Sequence, residues 1–208
     1  VGSEMCKETA GSGACVVAGK DRPPYLRAVT VGTVEDLGVT DINNMGAAMA
    51  PAAAKTLCQF FNDTGAKPED FDLILTGDLG FVGSRLFERL MQAQGCPIAG
   101  RHNDCGLMIY DRLRQDVHAG GSGCGCAASV LCSFILTQIA CQRLKNVLFM
   151  ATGALMSPTS VQQGESIPAQ LFLTDPALLR IDRQRHNAIK PMAHPDLVPD
   201  PVQPPVVK

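Results

Sequence analysis

Charged residues are scarce in this 208-residue sequence, at 18% of the chain, against about a quarter in an average soluble domain. Hydrophobic residues reach 46%, which excludes intrinsic disorder for most of the chain and predicts one or two globular domains. Eighteen basic residues stand against twenty acidic ones, for a net charge of -2. This balance supplies no basic surface for nucleic acid or anionic lipid, so we expect no nucleic-acid partner.

Long apolar runs are absent too. No run of 18 or more apolar residues occurs, so no transmembrane segment is expected. Residues 1–7 lack a charged region followed by an apolar one, and we expect no signal peptide. Because position 1 is Val rather than Met, we interpret the chain as a piece of a longer protein.

The nine cysteines include no CxxC pair, the spacing that structural zinc sites favour. We interpret them chiefly as reduced, buried thiols of a cytosolic protein, because a free cysteine packs like a small hydrophobic residue. The sequence predicts no metal site and no cofactor.

Short apolar strands alternate with helical stretches along the chain. One helix is predicted from Met45, with Pro51 in its first turn and Gly65 just after its end. A second is predicted around residues 86–91, and a third opens at the glycine-rich residues 120–125. The predicted strands are 9–18, 26–34, Leu73–Thr76, 107–110 and 147–151. This alternation predicts an α/β layered fold with a sheet covered on both faces.

The segment 191–208 breaks this rhythm, since it holds six of the fourteen prolines. Proline removes backbone donors and favours extended conformations. We therefore predict an unpacked tail, with a proline-rich recognition ligand as the weaker alternative.

The glycine-rich loop is the most informative local feature. Gly121, Ser122 and Gly123 precede a predicted helix, where backbone N–H groups can bind an anion. A thiol at this helix start, Cys124 or Cys126, would have a lowered pKa and could act as a nucleophile. The loop matches neither a P-loop nor a dinucleotide-binding pattern. A tight turn, an anion cradle and a catalytic thiol all remain open.

Further polar candidates lie near predicted strand ends. Residues 101–106 place a cation, an imidazole, a carboxylate and a thiol together, in His102, Asp104 and Cys105 after Arg101. These residues are read as a solvated loop, a pocket lining or, less readily, a catalytic group. Asp78 follows a buried strand and either caps the next helix or faces a pocket. His118 is interpreted as a hydrogen-bonded or exposed side chain, with a ligand role as the weaker alternative. The amide of Gln162 suits a neutral or carboxylate ligand.

Several long segments resemble the stage V sporulation protein AD family, from about Thr9 to Pro168. The segments that carry the resemblance are GTVEDLGVTDINNMGAAMAPAA (32–53), DLILTGDLG (72–80), NDCGLMIYD (103–111), HAGGSGCGCAASV (118–130) and VLFMATGALMSPTSVQQGESIP (147–168). That family is similar in fold to thiolases and ketoacyl synthases, with two α/β halves that each hold a five-stranded sheet. The resemblance implies a thiolase-like layered α-β-α domain over 1–168, made of the last strand of the first half and most of the second.

In function, the resemblance implies a non-enzymatic protein that takes up dipicolinic acid (pyridine-2,6-dicarboxylate), with or without calcium, into the developing spore. It would be cytoplasmic and peripheral to the spore inner membrane, would work with other proteins of the dipicolinate-uptake operon, and could form a homodimer. Gly77 and Cys124 stand where condensing enzymes carry catalytic His and Asn, so the catalytic site of those enzymes is not expected. The ligand-binding candidates are Asp78, His102, Asp104, Cys105, Gly121, Ser122, Gly123, Cys124, Cys126 and Gln162.

Two alternatives stay open beside this reading: an acyltransferase with a Cys nucleophile, and a structural scaffold at the spore inner membrane. Residues 169–208 do not resemble the family's final strand, and are predicted to be an atypical, Pro-rich and unstructured tail. The final sheet would then lack an edge strand.

Overall fold

A computed structural model describes residues 11–17, 19 and 24–177, and only the backbone at Cys124, Phe172 and 174–177. The strands are β1 (Tyr25–Val31), β2 (Leu73–Thr76), β3 (His102–Asp104), β4 (Val147–Ala154) and β5 (Ala169–Ala177). The α-helices are α1 (Met45–Thr64), α2 (Gly80–Ala93), α3 (Cys105–Met108), α4 (Gly123–Val130), α5 (Leu136–Ala140) and α6 (Pro158–Gln162). A 3-10 turn spans Pro68–Asp70, and a π-helical segment, Leu131–Ile135, joins α4 to α5.

The five strands form one mixed sheet in the order β1-β5-β4-β2-β3. Strand β2 runs parallel to β3 and β4, whereas β5 is antiparallel to both β4 and β1. Alternate residues of each strand enter different cores: Ile74 packs with α1 and α2, and its neighbour Leu75 packs with α4 and α5. The predicted α/β fold with helices on both faces of the sheet is confirmed.

In helix α1, the predicted role of Gly65 is confirmed and that of Pro51 is wrong. Gly65 ends the helix at φ 68°, a left-handed conformation that glycine adopts without strain, and its N–H donates to the Phe61 carbonyl at 2.9 Å. Pro51, predicted in the first turn, lies instead inside the helix. The helix begins at Met45, because the apolar stripe continues on both sides of the proline.

Two predicted strands are wrong. Residues 107–110 were expected to be a strand, yet the strand is β3, just upstream, and the helix α3 follows it. The Asp104 side chain accepts the Gly106 N–H at the start of α3, and this cap overrides the apolar run that follows. The described part of 9–18, residues 11–17, forms no strand and runs alongside α4.

The prediction that an unstructured tail begins at residue 169 is wrong for Ala169–Ala177. These residues form β5, which pairs with β4 on one side and β1 on the other. Ala169, Leu171 and Leu173 alternate into the core with at most 1% exposure, the period of two that defines a strand face. The sheet therefore does not lack this strand, and the rest of the predicted tail, 178–208, lies outside the described residues.

Candidate functional site

Two of the predicted polar residues, Asp78 and Asp104, meet at the carboxyl ends of β2 and β3, beside Thr152 of β4. Asp78 comes two residues after β2, Asp104 is the last residue of β3, and Thr152 lies within β4. In parallel α/β sheets this edge faces the N-termini of the following helices and is the usual place for ligands. Buried or half-buried carboxylates here are therefore the starting point for the site.

Asp104 is the most enclosed acidic residue of the described chain, with 0% exposure. Its carboxylate accepts four hydrogen bonds: from Thr76 Oγ1 at 2.6 Å, Leu79 N at 2.9 Å, and Gly80 N and Gly106 N at 3.0 Å each. Two of the donors open α2 and one opens α3. Because the first N–H groups of a helix have no partner within it, one carboxylate satisfies the starts of two helices.

Burial nevertheless raises the pKa of Asp104 to about 6, against the lowering effect of these hydrogen bonds. Desolvation disfavours the charged form, and the nearby charge of Asp78 acts in the same direction. The carboxyl group thus titrates closer to neutrality than an ordinary aspartate.

Asp78 takes the equivalent role for α4. Its carboxylate accepts the Gly123 N–H at 2.6 Å, and its Oδ1 accepts the Thr152 hydroxyl. The Asp78 N–H also donates to Thr152 Oγ1, at 3.0 Å. Burial raises the pKa of Asp78, although both hydrogen bonds to its carboxylate lower it. The helix start predicted to bind an anion therefore already holds one, supplied by the chain itself.

The glycine loop also contacts α3 through its backbone. Gly121 N donates to the Gly106 carbonyl at 2.7 Å. A Cβ atom on Gly106 would lie 2.3 Å from the Gly121 carbonyl oxygen, and Gly120 adopts φ 109° beside Gly106. Only glycine permits this approach. Ser122 precedes α4 without capping it through its side chain.

His102 connects the buried carboxylate to the surface. Its side chain is 1% exposed; Nδ1 lies 3.0 Å from Glu88 Oε1, and Nε2 lies 3.0 Å from Thr76 Oγ1. Burial lowers the pKa of His102, and the hydrogen bond with Glu88 acts against this. Glu88 is 37% exposed and also lines a cleft of about 400 Å³ beside Arg85 and Arg89.

The hydrogen-bonded row from Glu88 through His102 and Thr76 to Asp104 has three contacts, each of which needs a hydrogen. A neutral imidazole brings one hydrogen and the threonine hydroxyl brings another. The complete row therefore holds one further proton, on the imidazole or on a carboxyl group.

Two of the candidate thiols, Cys105 and Cys126, lie in surroundings that disfavour the thiolate. Cys105 is 0% exposed and Cys126 is 5% exposed. Burial, reinforced by the charges of Asp104 and Asp78, raises the pKa of Cys126 to about 12 and that of Cys105 further. The expectation that the helix start lowers the pKa is therefore wrong for Cys126. The backbone of Cys124 lies in α4, and its side chain is outside the described atoms.

Other predicted residues lie elsewhere. Arg101 stands at the amino end of β3, and its guanidinium donates to the Phe71 carbonyl at 2.7 Å. Residues 102–104 form a strand, so the segment is not the polar loop that was expected. Gln162 ends α6 with its side chain exposed, and no hydrogen bond of the described residues joins it to the carboxylates. His118 is 82% exposed, 3.6 Å from Asp116, in agreement with its prediction.

Sequence reasoning missed Thr76, Thr152 and Glu88. Thr76 and Thr152 are polar residues near the carboxyl ends of otherwise apolar strands, and that position is the signal by which they could have been found. Glu88 carries no such signal, since its role depends on a histidine 14 positions away. Within the described ranges, no helix is long and apolar enough to cross a bilayer, and no cluster of three potential metal ligands occurs.

Comparison with known proteins places this site in a family. Residues 4–171 match the family model described as stage V sporulation protein AD. The chain is 49% identical over 158 residues to Stage V sporulation protein AD of Bacillus subtilis (strain 168), an alignment that covers 76% of this chain and 46% of that relative. The chain thus spans about half the length of the curated relative it matches. It belongs to the stage V sporulation protein AD family.

Proposed function

We propose that this chain is part of a non-enzymatic sporulation protein that binds dipicolinic acid, as the free dicarboxylate or its calcium chelate, for uptake into the developing spore. Family membership supports the link to sporulation. The five-stranded mixed sheet with helices on both faces is consistent with one half of a thiolase-like protein. The rest of the ligand pocket would come from the half that this chain does not contain.

The observation that carries the proposal is the pair of acidic side chains at the carboxyl edge, Asp78 and Asp104. Backbone N–H groups and threonine hydroxyls hold Asp78 and Asp104 without any lysine or arginine. These donors are already engaged by the chain's own carboxylates, so a ligand that reaches this edge meets acidic groups that can coordinate a cation. Asp78 is half-buried, whereas Asp104 is completely enclosed, so Asp78 is the group that an incoming ligand would meet.

The acidic character of this edge favours the calcium chelate over the free dianion. Two carboxylates stand close enough that the charge of Asp78 raises the pKa of Asp104, and a dianion would be repelled by the same charge. Calcium prefers carboxylate oxygens. Asp78 would supply one of these oxygens to a calcium ion that the dipicolinate already chelates.

The test is calorimetric titration of dipicolinate, with calcium and with a chelator, into this chain and into a longer protein that joins the N-terminal half of the Bacillus subtilis relative to it. We expect saturable binding by the longer protein, tighter for the chelate. Asp78→Asn keeps an acceptor oxygen for Gly123 but removes the charge, and should weaken chelate binding about tenfold, or roughly 1.4 kcal/mol. Asp63→Asn on the exposed side of α1 is the control. Absence of saturable heat with either form in the longer protein would refute the proposal.

The acyltransferase alternative needs a thiolate, and the raised pKa values of Cys105 and Cys126 argue against those two residues. Incubation with an acyl thioester followed by peptide mass spectrometry separates the readings. Selective acylation of one cysteine, Cys124 above all, would favour the enzyme.

We further propose that the protein acts in the cytoplasm at the spore inner membrane with other proteins of the dipicolinate-uptake operon. Fractionation of sporulating cells, and co-purification with those proteins in the presence and absence of dipicolinate, test this placement. Ligand-independent co-purification without any ligand binding would favour a scaffold.

A further inference from the structure

The N-terminal segment 11–17 lies closely against α4 and the π-helical segment that follows it. Ser129 Oγ donates to the Ser12 carbonyl at 3.3 Å. A Cβ atom on Gly13 would lie 2.4 Å from the Ala128 carbonyl oxygen, and one on Gly11 would lie 2.4 Å from Ser129 Oγ. Because a side chain at either glycine would overlap α4, the two glycines allow the backbone of the segment to lie directly against the helix.

This approach places two thiols in contact. Cys15 Sγ lies 3.3 Å from Cys132 Sγ, although the two residues are 117 positions apart in the chain. Cys15 is exposed and Cys132 is half-buried, so the pair is open to a small reagent. Cys105 and Cys126, by contrast, are buried beneath the carboxyl edge of the sheet.

We propose that Cys15 and Cys132 form a thiol–disulfide exchange site, at which a low-molecular-weight disulfide converts the two thiols into a reversible intramolecular disulfide. The Cys15 thiolate attacks one sulfur of the small disulfide, which forms a mixed disulfide and expels one small thiolate. The Cys132 thiolate then attacks the Cys15 sulfur and expels the second. The protein loses two electrons and two protons, and the small disulfide is reduced to two thiols.

The exchange is slow at neutral pH and accelerates as the pH rises. The hydrogen bond with Cys132 and partial burial both raise the pKa of Cys15, and only the thiolate attacks. The pair is thus stable as thiols in a reducing environment and closes when small disulfides accumulate.

Closure would fasten the N-terminal segment to the helical layer that begins at the glycine loop. Cys132 lies in the π-helical segment that continues α4, and the first residue of α4, Gly123, donates to Asp78. A covalent link at one end of this layer therefore restrains the helix that holds the Asp78 carboxylate.

The experiment uses the reduced full chain, incubated with oxidised glutathione, digested with trypsin and analysed by mass spectrometry without reduction. Residues 8–20 form a tryptic peptide with Cys15 as its single cysteine, and Cys132 falls in the peptide 115–143. We expect these two peptides to be joined, with the mass of two hydrogens lost and with fragment ions that place the link at Cys132. The yield should rise between pH 7 and pH 9.

Three variants make the result specific. Cys132→Ser should abolish the joined peptide and leave glutathione on Cys15, and Cys15→Ser should also abolish it. Cys141→Ser removes an exposed cysteine from the same tryptic peptide and should leave the yield unchanged. Circular dichroism of each variant establishes that the fold is retained.

The proposal is overturned by a link from Cys15 to Cys141 or to another cysteine, or by an unchanged yield in Cys132→Ser. It is equally overturned if the folded chain gives no joined peptide although the urea-unfolded chain takes up glutathione at both positions.

Discussion

The Asp104 carboxylate accepts a hydrogen bond from the backbone N–H of Gly80 at 3.0 Å. The last residue of β3 thus fixes the start of α2, the helix that follows the neighbouring strand β2. Asp78, two residues before the first residue of that helix, accepts the first N–H of α4. Each acid thus caps a helix that begins elsewhere in the chain. The two carboxylates between them cap α2, α3 and α4, and the stability of the carboxyl edge should depend on these caps.

Removing the Asp104 carboxylate should destabilise the fold. Asp104→Ala leaves the Thr76 hydroxyl and three backbone N–H groups without their acceptor in a buried position. We expect a loss of at least about 2 kcal/mol in the free energy of unfolding, measured by urea denaturation at pH 7. Asp63→Ala, on the exposed side of α1, should change it by less than about 0.5 kcal/mol. Equal losses in the two variants would contradict the capping role.

The contribution of Asp104 should also depend on pH in a defined direction. Its folded pKa of about 6 exceeds the unfolded value of about 3.9, so the folded state binds more protons between these two values. Stability from this group is therefore greatest below pH 4 and falls as the pH rises towards 6. The difference in unfolding free energy between the natural chain and Asp104→Ala should grow as the pH is lowered from 7 to 4.5. A difference that shrinks over this range would mean that the carboxyl group is stabilised in its charged form.

The close contact between α3 and the glycine loop predicts intolerance of a single methyl group. Gly106→Ala would place a Cβ 2.3 Å from the Gly121 carbonyl oxygen and 2.9 Å from Asp104 Oδ1. We expect a loss of about 1–3 kcal/mol in thermal or urea unfolding, because backbone must move to relieve the overlap. Gly153→Ala is a matched control, since its Cβ would meet only the Gln170 carbonyl oxygen at 3.5 Å. Similar stabilities for both variants would show that the loop yields easily.

The buried cysteines of the site should react with an alkylating reagent more slowly than an exposed cysteine. Cys105 and Cys126 are enclosed and have raised pKa values, whereas Cys141 is exposed. With iodoacetamide at pH 8 we expect Cys141 to be alkylated first, and Cys105 and Cys126 only after unfolding. Fragment ions of the peptide 115–143 distinguish Cys126 from Cys141. Fast labelling of Cys126 in the folded chain would show an open or activated thiol at the site.

The layered fold could be predicted because its three longest helical stretches and the strands β1, β2 and β4 carry local signals. The stripe beginning at Met45 and the left-handed Gly65 marked α1, and the apolar run of Leu73–Thr76 marked β2. Strand β3 and helix α3 were not readable in the same way, because the side chain of Asp104 decides their boundary through contacts with residues of another helix.

The candidate site could be predicted only in part, because several of its residues have partners that are distant in sequence. The predicted position at the carboxyl edge was informative for Asp78. Asp104 was expected ahead of a strand at 107–110, yet it ends β3 and lies at the same edge. The local pattern of the glycine loop suggested free N–H groups, yet the acceptor for Gly123 is Asp78, 45 residues earlier. A partner at that separation leaves no trace in the loop itself. The sequence around Arg101 likewise gives no sign of its hydrogen bond to the Phe71 carbonyl, just before β2.

The placement of β5 between β1 and β4 has a consequence for how the chain folds during synthesis. Strand β1 leaves the ribosome first, but its ladder partner begins at Ala169. Strands β2, β3 and β4 and their helices can pair before β5 has been made, whereas β1 must wait, with the exposed side chains Val29 and Val31 on one face. Contacts of such long sequence separation form late and slowly. The first described strand of the sheet is therefore among the last to be incorporated, and the backbone of β1 keeps an unpaired edge until β5 has been made.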